Sequence, residues 1–125
     1  MEDKFCQLVL DSALDKKASN TVVIDISEVS LMADFMLICT GSATTHVQGI
    51  ADNILEKVKE NGDKIYNIAG KNEGEWILLD LGNVIVHIML ESIRNLYTLE
   101  KLWDNGKIFY FDKEYELQNK KAEAK

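Results

Sequence analysis

The chain has 125 residues, of which 46% are hydrophobic and 28% are charged, and its formal net charge is −7. This length supports one domain with a single core, and the composition is that of a globular protein. The acidic charge disfavours direct RNA binding, because such domains neutralise phosphates with lysine and arginine, and it suits a basic protein partner.

The segments that would indicate a membrane or secreted protein are not found in the sequence. No apolar run approaches the roughly 18 to 20 residues of a membrane span, and the acidic N-terminus does not resemble a signal peptide. Cys6 and Cys39 lack Cys-x-x-Cys spacing, so a structural zinc site is not expected. We predict a cytoplasmic protein with reduced thiols, no metal and no cofactor.

The first half of the chain predicts a helix, two strands and a long helix. Apolar residues at helical spacing predict a helix over residues 3–17, "TVVIDISEV" reads as a strand, and "DFMLICTG" reads as a strand buried on both faces. After Gly41-Ser42 comes one apolar helical stripe, made of Val47, Ile50, Ile54, Leu55 and Val58. Hydroxyls at Ser42, Thr44 and Thr45 offer N-caps, and Gly62 is placed to end the helix.

The second half predicts a weaker strand, "KIYNIAG", and then a β-hairpin. Gly82-Asn83 between two alternating apolar runs indicates a two-residue turn that pairs Leu78 with His87 and Trp76 with Met89. One hairpin face is then wholly aliphatic and must be covered, most simply by the helices. The other is mixed and carries Trp76, Leu78, Asp80, Ile85, His87 and Met89. Burying an unpaired carboxylate is costly, so this mixed face is expected to be partly open, with the composition of a contact surface.

The remaining residues complete an α/β (α+β) prediction. "LESIRNLYTLEKLW" predicts one or two short helices, with Thr98 as an N-cap between them. Residues 104–125 are predicted to be a C-terminal extension, and we expect its aromatic part to pack back on the domain and its last residues to be mobile. The order predicts a mixed sheet of about five strands with flanking helices in one domain, residues 1–103.

The candidate catalytic residues do not form a recognised motif. His87 lacks metal-ligand spacing, and Asp80 lies diagonal to it across the hairpin, so an Asp80–His87 contact supporting a binding face is favoured over catalysis. Trp76 and Tyr97 are read equally well as contact residues of a binding face and as ordinary core or rim aromatics. Cys39 and His46 could form a nucleophilic pair, but no oxyanion motif accompanies them, and a core cysteine is the more common case.

Gly41-Ser42 lies between a predicted strand and a predicted helix. Nucleotidyltransferases have a Gly-Ser at such a junction, and it receives a triphosphate there. Those enzymes also need paired carboxylates for two metal ions, and Asp52 has no acidic neighbour two residues on. The junction is compatible with a nucleotidyltransferase-like fold, and the paired carboxylates of the metal site are not found at the expected spacing. The loop could hold an anion, although helix capping is the preferred interpretation.

Two blocks resemble the ribosomal silencing factor family, RsfS, also called the Iojap family. They are "DISEVSLMADFMLICTGSATTHVQGIAD", and "GEWILLDLGNVIVHIM" followed by "RNLYTLEKLW". The resemblance runs from about Phe5 to Trp103. It implies a nucleotidyltransferase-related fold without that activity, and binding to the large ribosomal subunit through its protein uL-fourteen. Occupying that site would block the small subunit, lower translation when nutrients are scarce, and link the family to large-subunit maturation.

The resemblance also implies a binding face on this chain, made of Trp76, Asp80, His87, Leu96, Tyr97, Leu99 and Glu100. Asn83 stands where the family commonly has Asp, and no functional consequence is expected at this turn position. Two alternatives stay open. One is an enzyme of nucleotidyltransferase ancestry with a rebuilt metal site, and the other is a small dimeric scaffold. A homodimer of the free protein through the open sheet face also fits its apolar character.

Overall fold

The computed structural model describes residues 3–97 and 107–112 of the chain. Within these ranges the elements alternate in an order that agrees with the predicted one and adds a final strand. They are α1 (Lys4–Asp15), β1 (Ser19–Asp25), β2 (Phe35–Gly41), α2 (Thr44–Glu60), β3 (Asn67–Ala69), β4 (Trp76–Asp80), β5 (Val84–Leu90), α3 (Glu91–Tyr97) and β6 (Lys107–Tyr110).

The strands form one mixed sheet in the order β3-β4-β5-β2-β1-β6. β2 and β5 run parallel at its centre, and the other neighbouring pairs are antiparallel. Parallel neighbours cannot be joined by a tight turn. The chain between them accordingly passes through α2, β3 and β4 before it returns as β5. The predicted mixed α/β fold is confirmed.

The main core lies between the sheet and the two longer helices, α1 and α2. The aliphatic face of the hairpin is fully covered, as predicted, since Ile77, Leu79, Val84, Val86 and Ile88 are each 0% exposed. They pack in one cluster with the predicted stripe of α2 and with Cys6, Val9, Leu10 and Ala13 of α1. Burial of each such side chain stabilises the fold by about 1.5–3 kcal/mol.

The opposite face of the sheet carries a second, smaller core. It consists of Val22, Ile24, Ile26, Ala33, Met36, Ile38 and Met89. β2 therefore contributes to both cores, with Leu37 and Cys39 on the helix side and Met36 and Ile38 on the other. This confirms that the continuous apolar run of β2 is buried on both faces.

The two ends of α2 differ in how well the sequence predicted them. At its C-terminal end Gly62 has φ +82°, and the N–H of Asp63 donates to the carbonyl of Val58 at 3.1 Å, as expected of a C′ glycine. At its N-terminal end the cap is Ala43, which makes no side-chain hydrogen bond. The predicted hydroxyl cap is wrong because the Ser42 hydroxyl lies against His46 instead, 3.1 Å from Nδ1.

The predicted hairpin register is confirmed, with Trp76 opposite Met89 and Leu78 opposite His87. Gly82 at its tip has φ +85°, a conformation that costs glycine little. A Cβ on Gly82 would also lie 2.8 Å from the ring of Tyr66. Glycine is therefore required at the tip for its backbone conformation and for close packing.

The sheet continues beyond the predicted limit of the domain at residue 103. β6 pairs antiparallel with β1, with Phe109 opposite Val23, so the sheet has six strands instead of about five. The aromatic part of residues 104–125 thus packs on the domain as expected, through β6. The hydrogen-bonding edge of β1 explains the difference, because an edge strand readily accepts another strand. Thr98 and the predicted mobile residues at the C-terminus lie outside the described residues.

The hairpin tip is tied to α1 through Asp3 and Asn83. One carboxylate oxygen of Asp3 caps α1 by accepting from the N–H of Cys6 at 2.8 Å, and the other accepts from Nδ2 of Asn83 at 3.3 Å. The carbonyl of Asn83 accepts from the N–H groups of Asp34 and Phe35 at 3.0 and 3.1 Å. Asn83 thus joins three segments, and its amide has a structural role that the sequence did not indicate.

We expect Asn83→Asp to lower the free energy of unfolding by about 1 kcal/mol, because a carboxylate would replace the amide donor beside Asp3. Urea unfolding at neutral pH measures the change. Asn95→Asp at an exposed position of α3 is the matched control and should change stability little.

A compensating substitution tests the cause of that loss. Asp3→Asn keeps a good N-cap residue, and its amide can donate to the new carboxylate. The double variant Asp3→Asn/Asn83→Asp should therefore be more stable than Asn83→Asp alone. Equal stability of the two would show that the Asp3–Asn83 contact is not responsible.

Candidate docking face on the hairpin

The mixed face of the hairpin points away from α1 and α2, and it is closed at His87 and Met89 of β5 and partly open at its other residues. We call the six residues Trp76, Leu78, Asp80, Ile85, His87 and Met89 the outer hairpin face. Trp76, Leu78 and Asp80 on β4 are half-buried, whereas His87 and Met89 on β5 are 7% and 0% exposed. β4 borders the short, exposed β3, and β5 borders β2 at the sheet centre. The predicted partial opening is thus found around Trp76 and Asp80, but His87 is not an exposed residue.

The indole of Trp76 is held by His87. Nε1 of Trp76 donates to Nδ1 of His87 at 3.0 Å, and the two ring centroids are 5.9 Å apart. The two residues are diagonal neighbours on one face of the antiparallel pair, a separation that long side chains can bridge. The buried imidazole therefore fixes the orientation of an indole that is still half-exposed.

Burial lowers the pKa of His87 from 6.5 to about 4, because the charged form would lose its hydration. The ring is therefore neutral at pH 7, with Nδ1 unprotonated and able to accept from Trp76. A group with so low a pKa is a poor general base near neutral pH. The arrangement makes His87 a positioning residue for the indole.

Asp80 does not contact His87, so the predicted Asp80–His87 pair is wrong. Oδ1 of Asp80 accepts from the N–H of Gly82 at 3.0 Å, which satisfies the carboxylate within the turn. His87 has two diagonal neighbours on β4, and it bonds to Trp76 instead of Asp80. Asp80 thus stabilises the hairpin tip while remaining half-exposed.

Helix α3 carries the next of the predicted contact residues. Leu96 is 72% exposed, so its side chain is accessible to a partner. Tyr97 ends the helix, but its side chain, and all of Leu99 and Glu100, lie outside the described residues. These assignments stay predictions.

Arg94 anchors α3 and was missed by the sequence reasoning. Arg94 is only 3% exposed, and its Nη1 donates to the carbonyl of Asn20 and to Oγ1 of Thr40 at 3.0 Å. A single arginine among the apolar positions of a short helix was the available signal. Since buried arginine requires specific partners, Arg94 fixes where α3 presents Leu96.

The strand–helix junction at Gly41-Ser42 does contain a cleft, with a volume of about 430 Å³. Its N–H nearest the helix is already engaged, because Ser42 N donates to Nδ1 of His46 at 2.9 Å. Nε2 of His46 lies 2.6 Å from the carbonyl of Lys16, to which it donates. Glu91 also lines the cleft and would repel an anion. His46 at the start of α2 therefore ties this loop to the C-terminal end of α1.

The surroundings of the candidate nucleophile Cys39 and of the acid Asp52 are those of structural residues and not of catalytic ones. Burial raises the pKa of the Cys39 thiol to about 12, and both ring nitrogens of His46 are bonded elsewhere, so the two do not form a reactive pair. Asp52 is paired with Lys71 at 2.7 Å. Among the described residues no three His, Cys, Asp or Glu side chains converge as metal ligands.

These features define a small mixed α/β domain with one helix-covered sheet face and one partly open face. Within the described part of the chain, no helix is long and apolar enough to cross a membrane. The sequence matches the family described as "Ribosomal silencing factor during starvation" over residues 2–125. The chain belongs to this family of ribosomal silencing factors, which are regulatory proteins.

Individual relatives agree with this assignment. The chain is 39% identical to the ribosomal silencing factor RsfS of Bacillus subtilis, over 78% of this chain and 83% of that protein. A crystal structure from Chromobacterium violaceum has a TM-score of 0.80 at 30% identity, covering 86% of this chain and 90% of that one. A mouse protein named "Mitochondrial assembly of ribosomal large subunit protein 1" is 29% identical over 70% of this chain and 40% of its own length.

We expect the free energy of unfolding to fall as the pH drops from about 6.5 to about 4, because in this window the unfolded state binds a proton at His87 that the folded state does not. The contribution of His87 to the free energy of unfolding is complete above pH 6.5. Below that pH it falls by at most about 1.4 kcal/mol per pH unit.

The variant His87→Gln isolates this contribution, since an amide oxygen can accept from Trp76 and does not titrate. Urea unfolding of both proteins across the window should give a shallower pH dependence for the variant. Parallel curves would contradict the assignment of the slope to His87.

Proposed function

We propose that this protein binds the large ribosomal subunit through its protein uL-fourteen and blocks joining of the small subunit, so that translation falls under nutrient limitation. A role in large-subunit maturation is part of the proposal. The observation that carries it is the partly exposed indole of Trp76, held by a buried neutral imidazole on the sheet face opposite α1 and α2. The names of the bacterial and mouse relatives, a ribosomal silencing factor and a protein of mitochondrial large-subunit assembly, support it.

The chemistry of the outer hairpin face suits a protein partner. Trp76 shares this face with the half-buried aliphatic residues Leu78 and Ile85, and aromatic residues surrounded by apolar contacts dominate the energy of many interfaces. Because His87 already holds the indole, less side-chain entropy is lost when the partner binds.

The charge of the protein supports the choice of a basic partner. Asp80 is half-exposed at the edge of the same face, and the whole chain has a net charge of −7. Carboxylates at the rim of an interface speed encounter with lysine and arginine and select orientation. Leu96 extends the apolar surface from α3, and Tyr97, Leu99 and Glu100 are assigned to the same interface.

The mechanism we propose is steric. A protein of 14.2 kDa seated on the intersubunit surface occupies space that the small subunit needs, so no catalytic step and no cofactor are required. The protein acts in the cytoplasm. When free, it can cover the same apolar face by forming a homodimer.

Cosedimentation of the pure protein with isolated large subunits, small subunits and whole ribosomes tests the proposal. Binding to large subunits alone, with loss of subunit joining, is the expected result. Failure to bind large subunits, or equal binding to small subunits, would refute it.

We expect Trp76→Ala to weaken binding to large subunits by more than about 1 kcal/mol while leaving the fold intact. Phe111→Ala is the matched control, because Phe111 is a 39% exposed aromatic residue that follows the opposite edge strand of the sheet. Quantitative cosedimentation measures both variants, with circular dichroism as the check on folding. Unchanged binding by Trp76→Ala would show that the indole is not part of the interface.

A nucleotidyltransferase with a rebuilt metal site is the rival function. It receives little support from the described residues, because Asp52 is paired with Lys71 and the Ser42 N–H is bonded to His46. We expect no nucleotidyl transfer from labelled nucleoside triphosphates in the presence of magnesium. Metal-dependent turnover, or a thermal shift that needs both magnesium and nucleotide, would favour the rival.

A further inference from the structure

A second exposed apolar surface lies in the loop between β1 and β2, beside the hairpin tip. Leu31 is 107% exposed and Met32 is 83% exposed. The loop itself is well held, since the N–H of Ile26 donates to the carbonyl of Asp34 at 2.8 Å and the N–H of Met32 donates to Oγ of Ser30 at 3.1 Å. Two large apolar side chains are therefore presented to solvent from a hydrogen-bonded loop.

These side chains form one wall of a cleft with a volume of about 510 Å³. Tyr66, which is 59% exposed, forms the facing wall and packs on Gly82 at the hairpin tip. We call this site the tip cleft, and its lining consists of Leu31, Met32, Ala33, Asp34, Tyr66, Asp80, Gly82 and Asn83.

The charges of the tip cleft indicate the class of its occupant. Asp34 and Asp80 both line it, and no lysine or arginine is part of its lining. Lys64 lies over the ring of Tyr66, with Nζ 4.9 Å from the ring centroid, and is not part of the lining. At this cleft, whose charged lining residues are both acidic, a second copy of this chain with its own net charge of −7 is electrostatically disfavoured, whereas the homodimer proposed for the free protein uses the apolar part of the outer hairpin face. A basic segment is favoured.

We propose that the tip cleft receives an apolar side chain flanked by arginine or lysine from a basic protein segment of the large ribosomal subunit. The apolar group inserts between Leu31, Met32 and Tyr66, and the cation pairs with Asp34 and with the outer side of Asp80. This inference rests on the proposed function and deepens it, because Asp80 belongs to both surfaces and makes the tip cleft a continuation of the outer hairpin face.

The apolar part is tested with the double variant Leu31→Ser/Met32→Ser in the full chain. Because both side chains are already in water, folding should be unaffected, and binding to isolated large subunits should weaken about tenfold or more. Leu14→Ser removes a comparably apolar side chain, 38% exposed, from the end of α1. This control should bind like the wild type.

The electrostatic part is tested with Asp34→Asn, which keeps the backbone bond from Asp34 to Asn83. We expect weaker binding and a shallower dependence of affinity on salt concentration, because one charge pair is lost. Asp15→Asn, at an exposed position on α1, is the charge-matched control and should leave the salt dependence unchanged.

The outcomes separate this inference from the proposed function. If Trp76→Ala weakens binding and Leu31→Ser/Met32→Ser does not, the tip cleft is overturned and the proposed function stands. Equal weakening by Leu14→Ser would also overturn it, because the loss would then reflect apolar surface in general. If the wild-type protein does not bind large subunits, the proposed function fails and the tip cleft loses its partner.

Discussion

The register of the β4–β5 hairpin is the constraint on which the rest of this structure depends. With Leu78 opposite His87, every second residue is aliphatic and buried under α1 and α2, and the alternate residues form the outer hairpin face. A slip of one residue would move Asp80 and His87 into the helix-covered core. Gly82 at the tip and the bonds of Asn83 to Asp3, Asp34 and Phe35 hold this register.

Within that frame, one half of the outer face supports the other. The closed half on β5 supplies a buried, neutral imidazole, and the open half on β4 supplies an indole whose orientation that imidazole determines. Neither residue alone would make a rigid, partly exposed aromatic group. A buried polar residue likewise positions an exposed apolar one at α3, where Arg94 anchors the helix that presents Leu96. Rigid presentation of apolar groups is a property expected of a binding surface.

The hydrogen bonds of single polar side chains were much harder to predict than the strands that carry them. Asp80 and His87 share a face, as their spacing indicates, yet Asp80 bonds to the turn and His87 bonds to Trp76. By sequence Asn83 is an ordinary turn residue, but in the fold its amide contacts Asp3, eighty positions away. The exposed pair Leu31-Met32 gave no periodic signal, because it lies in a loop. Such contacts depend on distances between segments, which residue spacing does not encode.

The sequence by itself determined the elements up to α3, the two-sided burial of β2, the hairpin register, and membership in the silencing-factor family. These follow from local rules, since apolar periodicity and turn glycines act over a few residues. Only the tertiary structure decided that β6 completes the sheet, that His87 is buried and neutral, and that a loop and the hairpin tip line an open cleft with acidic and apolar residues. Each of these depends on which distant segments come together, and burial and pKa follow from that packing.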